Sequence, residues 1–164
     1  MSEIAYVGIG SNLGDRLEFM RQALDDLGQH EGIDIALRSS VYESPALNRE
    51  QPDYLNAATS VQTDLAPAEL MKALLSIEKR LGRIRETKWE PRTIDLDVLL
   101  FGDLVLAEPG LVVPHPRMLE RGFVLLPLCE INPLLQYPVD GRPLAEYALA
   151  CDDGTRRSSS FRLS

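Results

Sequence analysis

The sequence predicts an α/β sandwich on a ferredoxin-like β-α-β-β-α-β core, with additional short C-terminal elements. Three observations carry this reading. Four stretches follow the two-residue period of strands, two others follow the helical period, and their chain order interleaves as β-α-β-β-α-β. The 164 residues suit one domain with a full hydrophobic core and are too few for two comfortable ones. Residues 1–164 are therefore expected to form one domain, with 151–164, basic and rich in serine, as a mobile tail.

The elements follow in order. Ile4 to Ile9 reads as a buried first strand, and the turn Gly8 to Asp15 leads into a helix with Leu17, Met20, Leu24 and Leu27 on one face. Ile33, Ile35, Leu37, Ser39 and Val41 alternate with Arg38, Ser40 and Tyr42 as a second strand. Glu43 to Asp53 holds two prolines and no period, so it is a long loop; Tyr54 to Thr63 alternates again as the third strand. Pro67 opens a helix carrying Leu70, Leu74, Ile77 and Leu81, and Gly82 stops it. A basic loop precedes the fourth strand, which begins near Asp95. Beyond Phe101-Gly102-Asp103, the corner Val113-Pro114-His115-Pro116 is rigid, and Met118 to Ile131 contains one or two short helices.

Charge and cysteine content narrow the function. A net charge of −8 opposes general binding to nucleic acid or acidic membrane. Within it, residues 79 to 92 hold six Lys/Arg and two Glu, a local excess of four positive charges. An island of that size suits a small polyanion. Cys129 and Cys151 lack metal-ligand spacing and read as reduced thiols. There is no basic-then-apolar leader and no run approaching a membrane span, so a cytoplasmic protein is expected.

The chemistry concentrates around Asp95 and Asp97. Alternation on a strand points both carboxylates one way, with Cα atoms roughly 7 Å apart, while Ile94, Leu96 and Val98 point into a core. Two like charges on one face need cations, which neighbouring arginines or divalent metals supply. Carboxylates at this spacing can bracket two magnesium ions about 3.5–4 Å apart that also bind phosphate oxygens. Solvent-facing acids on an exposed strand are the plain alternative. Arg83, Arg85 and Arg92 equally read as a solvated loop, yet the sole tryptophan, Trp89, lies among them. An indole flanked by cations suits a flat or anionic partner. Gly8 to Gly14 lacks both common phosphate-loop spacings and reads as a strand-to-helix turn capped by Asp15. Tyr54 and Asn56 share a strand face and are either a surface pair or a wall for a planar heterocycle. His115, fixed between two prolines, is structural or donates a hydrogen bond to a phosphate.

Several ordered motifs carry a resemblance: Gly10-Ser11-Asn12-Leu13-Gly14, Gln51-Pro52-Asp53-Tyr54-Leu55-Asn56-Ala57, Gly82-Arg83-Ile84-Arg85, and Trp89-Glu90-Pro91-Arg92-Thr93-Ile94-Asp95-Leu96-Asp97. Pro114-His115-Pro116-Arg117-Met118 and Arg121-Gly122-Phe123 follow. From Ile4 to about Tyr147 the chain resembles the 6-hydroxymethyl-7,8-dihydropterin pyrophosphokinases of folate biosynthesis. The resemblance implies transfer of the terminal diphosphate of ATP to the pterin hydroxymethyl group, with release of AMP. It implies two magnesium ions on Asp95 and Asp97, with Arg83 and Arg92 on a loop that closes over the phosphates. It places Glu78, Arg85, Trp89, Arg92, Val98, His115 and Arg121 against ATP. The pterin would lie between Tyr54 and Phe123, its polar edge read by Asn56 and the segment Ser44, Pro45 and Leu47, with Trp89 sealing the site. A monomer acting on these two small molecules is expected, without nucleic-acid or membrane partners.

The chain departs from the family pattern at Glu86, Glu90, Leu75, Pro116 and the segment Asn48-Arg49-Glu50, and the loop from Arg85 to Trp89 is about one residue short. None of these changes an acid or arginine assigned to the chemistry. Two other classes compete: a catalytically silent pterin-binding module and a small RNA-binding domain. The intact acids and arginines oppose the first; the acidic balance and the lack of an aromatic RNA-binding strand oppose the second.

Overall fold

The computed structural model describes residues 2–46, 52–82 and 93–163. Within them β1 (Glu3–Ser11), α1 (Arg16–Gln29), β2 (Ile33–Arg38), β3 (Tyr42–Ser44), β4 (Tyr54–Thr63), α2 (Pro67–Arg80) and β5 (Asp95–Phe101) follow the expected order, with the second strand divided. A hairpin of β6 (Leu106–Glu108) and β7 (Leu111–Val113), a 3-10 turn at Met118–Glu120, α3 (Gly122–Ile131), α4 (Leu144–Ala150) and β8 (Arg156–Arg157) complete it. The main sheet runs β5-β1-β4-β3-β8, with β2 also on β4. All of its pairings are antiparallel. The first and last core strands therefore lie side by side, as a ferredoxin-like fold requires.

Local chemistry starts and stops the helices as expected. The Asp15 carboxylate accepts from the Glu18 N–H at 3.2 Å and caps α1. Pro67 begins α2, and the Glu69 carboxylate accepts from the Ala66 N–H at 2.9 Å. Gly82 stands just past the end of α2 with φ of +89°, a conformation that costs glycine nothing.

Each face of the sheet packs on its own cluster. Ala5, Val7 and Ile9 of β1, Leu55, Ala57 and Val61 of β4, and Leu96 and Val98 of β5 meet the buried stripes of α1 and α2. Tyr6, Ala58 and Leu99 point the other way, into α3 and α4. Alternation puts Gly8, Gly10, Asn56, Asp95 and Asp97 on that second face. This is where the site forms.

One expectation is corrected. The second strand breaks after Arg38 because Ser39 and Ser40 divert its hydrogen bonds. The Ser39 hydroxyl accepts from the Ala58 N–H at 2.9 Å, and the Ser40 N–H donates to the Glu130 carboxylate at 2.9 Å. A register shift between Ile35 and Leu37 also turns Leu37 outward, leaving it 54% exposed. In the C-terminal segment, residues 156–157 pair with β3, and Phe161 and Leu163 pack against the core. Their side chains cover apolar surface that the two-helix layer leaves open.

Candidate active site

The acid pair sits where β5 runs beside β1. Asp95 is registered opposite Gly10, and Asp97 opposite Gly8. Gly10 is in turn opposite Asn56 on β4, and Asn56 opposite Tyr42 on β3. One row across the sheet therefore reads Asp95, Gly10, Asn56, Tyr42. Two strand spacings put Asp95 and Asn56 about 10 Å apart, with a side-chain-free floor between them. A Cβ on Gly10 would come 3.3 Å from Asn56 Oδ1 and 3.9 Å from Tyr54 Cδ1, so a side chain there would press on Asn56.

On one side of the floor stands a polar wall. Asn56 is buried, and its Nδ2 donates to the Ser44 hydroxyl at 2.8 Å. Buried polar groups need such partners, and this bond fixes the amide orientation. Tyr54 is half-buried beside it, and Pro45 is exposed at the rim.

On the other side, the turn after the cis Val113–Pro114 bond brings His115 and Arg121 to the acids. The His115 N–H donates to the Leu99 carbonyl at 2.9 Å, which anchors the turn to β5. Its Nδ1 accepts from the Arg117 N–H at 3.2 Å, so in the neutral ring Nε2 carries the proton. Burial, and then the Arg121 charge, push the His115 pKa down against the pull of Asp95. The Arg121 guanidinium is also held down, by burial and then Arg117, while Asp97 and Asp95 oppose the shift. Arg121 further lies 5.4 Å over the Phe123 ring. Cation, histidine and aromatic face thus meet in one wall.

This geometry brings two carboxylates and a buried amide onto one sheet face, beside a wall of histidine and arginine. The sequence from residue 6 to 133 matches the profile of the 7,8-dihydro-6-hydroxymethylpterin-pyrophosphokinase (HPPK) family. The chain belongs to that family. It is 48% identical over 132 residues to the 2-amino-4-hydroxy-6-hydroxymethyldihydropteridine pyrophosphokinase of Bacillus subtilis, covering 80% of this chain and 79% of that protein. It is 42% identical over 152 residues to the Pseudomonas aeruginosa protein of the same name, covering 92% and 93%. Among solved structures, a Plasmodium falciparum HPPK-DHPS triple mutant superposes with a TM-score of 0.76 at 15% identity, covering 96% of this chain. The chain spans about half, 48%, of that longer protein. That likeness shows the fold.

As an HPPK-family member, the chain is a transferase of the pyrophosphokinase type and a protein of folate biosynthesis. Of the residues singled out in the sequence, Tyr54, Asn56, Asp95 and Asp97 border this floor; Ser44 bonds to Asn56, and His115 and Arg121 feel the acids' charge. The Val98 side chain is buried on the face opposite Asp97. Glu78 is 1% exposed, and its Oε2 accepts from the Leu96 N–H at 2.7 Å, beneath the acid strand. Leu47, Arg83, Arg85, Trp89 and Arg92 lie outside the described residues.

Among the described residues, no group of three or more His, Cys, Asp or Glu is arranged to hold a metal. A pair of carboxylates fits magnesium nonetheless, because that ion keeps several waters and takes its remaining ligands from substrate phosphates. A surface depression of about 420 Å³ between α1 and β2, lined by Asp25, Asp34 and Arg38, lies away from these groups. No described helix is long and apolar enough to cross a membrane. The sequence reading missed the glycine floor as a site feature.

Proposed function

We propose that the protein transfers the β,γ-diphosphate of ATP to the hydroxymethyl oxygen of 6-hydroxymethyl-7,8-dihydropterin, releasing AMP. The observation that carries this is the placement of Asp95 and Asp97 on one strand face, across a glycine floor from Asn56. Phosphate chemistry then lies at one end of the trough and a planar heterocycle at the other. Pterin stacks between Tyr54 and Phe123, with Asn56 and the Ser44–Leu47 segment reading its polar edge.

In the reaction the hydroxymethyl oxygen forms a bond to the β-phosphorus, its O–H bond breaks with the proton passing to solvent, and the bond from that phosphorus to the α–β bridging oxygen breaks. Negative charge therefore moves onto the departing AMP. Asp95 and Asp97 would hold two magnesium ions, which would supply charge neutralisation at the triphosphate. His115 donates through Nε2–H and Arg121 by charge. By resemblance, Arg83, Arg85 and Arg92 surround the phosphates, with Arg83 and Arg92 closing over them beside Trp89. Closure excludes water and holds donor and acceptor in line. Glu78 supports β5 through its bond to the Leu96 N–H, and by resemblance Glu78 and Val98 also lie against ATP.

The test is to incubate protein, ATP, magnesium and the pterin, and to identify the nucleotide product. AMP in step with pterin diphosphate is expected. ADP would mean transfer of one phosphoryl group and would overturn the mechanism; bound ATP with no product would identify a silent binding module.

A further inference from the structure

We propose that Asp153 and Gly154 set the width of the pterin slot by tying its two walls together, with Asp153 a positioning residue. The proposal rests on the pterin assignment above. It concerns a segment beyond residues 6–133, the part that matches the family profile.

Two consecutive residues touch opposite walls. Asp153 Oδ2 accepts from the Gly122 N–H at 2.8 Å. Gly122 stands between Arg121 and Phe123, so this bond holds the start of α3 that presents both side chains. A Cβ on Gly122 would come 2.6 Å from Asp153 Oδ1, so the carboxylate can approach this closely only over glycine. The next residue, Gly154, lies against the other wall: a Cβ there would come 3.2 Å from Pro45 Cγ. Its φ is +83°, and the Thr155 N–H donates back to Asp153 Oδ1 at 3.1 Å. Adjacent Cα atoms are 3.8 Å apart, so a single peptide link joins the Phe123 wall to the Pro45 wall.

The chain is anchored immediately beyond. Arg156 lies 3.5 Å from the Glu43 carboxylate and 3.4 Å from that of Asp53, the residue before Tyr54. The Ser158 N–H donates to the Val41 carbonyl at 2.8 Å. A strap tied to β3 on one side and to α3 on the other resists a change in their separation. A planar ring stacked between Tyr54 and Phe123 is sensitive to that separation, because stacking weakens steeply with a gap.

The test uses the full-length protein and three variants: Asp153→Ala, Asp153→Asn and Gly154→Ala. Binding of 6-hydroxymethylpterin is followed by its fluorescence in the presence of magnesium and a non-hydrolysable ATP analogue, alongside turnover and Tm. Asp153→Ala is expected to weaken pterin binding and raise the pterin KM about tenfold, with kcat changed less than about twofold. Asp153→Asn keeps an acceptor for the Gly122 N–H and should bind within about threefold of the parent. Pterin affinity unchanged in a folded Asp153→Ala, whatever its Tm, overturns the proposal, since a structural brace alone would move only stability. Should Asp153→Ala fail to fold, Gly154→Ala decides: its methyl presses on Pro45, and an unchanged pterin affinity overturns the proposal. A parent protein that forms pterin diphosphate beside insensitive variants refutes the strap and leaves the activity standing. A parent that neither binds nor converts the pterin refutes both.

Discussion

The Glu78 carboxylate accepts a 2.7 Å hydrogen bond from the backbone N–H of Leu96, the residue between Asp95 and Asp97. Leu96 also faces Ile9 of β1 across the sheet, so Glu78 holds the edge of β5 that β1 does not use. Removing the carboxylate leaves a buried N–H without that acceptor, a change that costs about 1–3 kcal/mol. Glu78→Ala should lower unfolding free energy by that amount and raise the magnesium concentration for half-maximal turnover. Glu78→Gln should recover most of both. Denaturant titration together with magnesium titration checks this; a stability loss with unchanged magnesium dependence would confine Glu78 to the fold.

Asp97→Ala should leave the fold intact and reduce turnover at least about 100-fold, since charge stabilisation at the transferring phosphate contributes several kcal/mol. Circular dichroism and the AMP assay measure the two separately. Retained turnover would refute the metal assignment.

Gly10→Ala places a methyl 3.3 Å from Asn56 Oδ1, on the floor between the acids and the pterin wall. Overpacking of this kind costs about 1–3 kcal/mol, which in binding is roughly 5- to 150-fold. Pterin affinity should fall within that range, measured by fluorescence titration, while the Asp95/Asp97 end retains magnesium-dependent ATP binding.

Tyr42 gives a pH-dependent test. Burial, followed by its hydrogen bond to Glu130, raises the phenol pKa above its ordinary 10.0. The hydroxyl donates to Glu130 Oε1 at 2.8 Å, linking β3 to α3. Because the folded state keeps its proton more tightly than the unfolded chain, the stabilisation is fully present below pH 10 and is lost as pH rises beyond it. Tyr42→Phe should cost about 1–2 kcal/mol near neutral pH, with the gap from the parent closing above pH 10. Urea denaturation across that range reads it, and a pH-independent gap would count against the Tyr42–Glu130 bond.

Much of the fold was legible because its signals are local. Asp15, Pro67 and Gly82 bound the helices through contacts within a few residues, and the alternation around Asp95 and Asp97 follows from strand geometry. The division at Ser39–Ser40 was not legible, since it depends on Ala58 and on Glu130, 90 residues away. Leu37 was misplaced for a related reason: one register shift reverses which face an alternating residue takes.

The sequence by itself determined the element order, the side-by-side acids, the cationic segment and, through its motifs, the family. Only the tertiary structure decided that Gly8 and Gly10 separate the acids from Asn56, that Glu78 lies beneath β5, and that Asp153 meets Gly122. Local periodicity states which way a side chain points. What it meets there depends on strand order and register, which are set by burying both sheet faces at once.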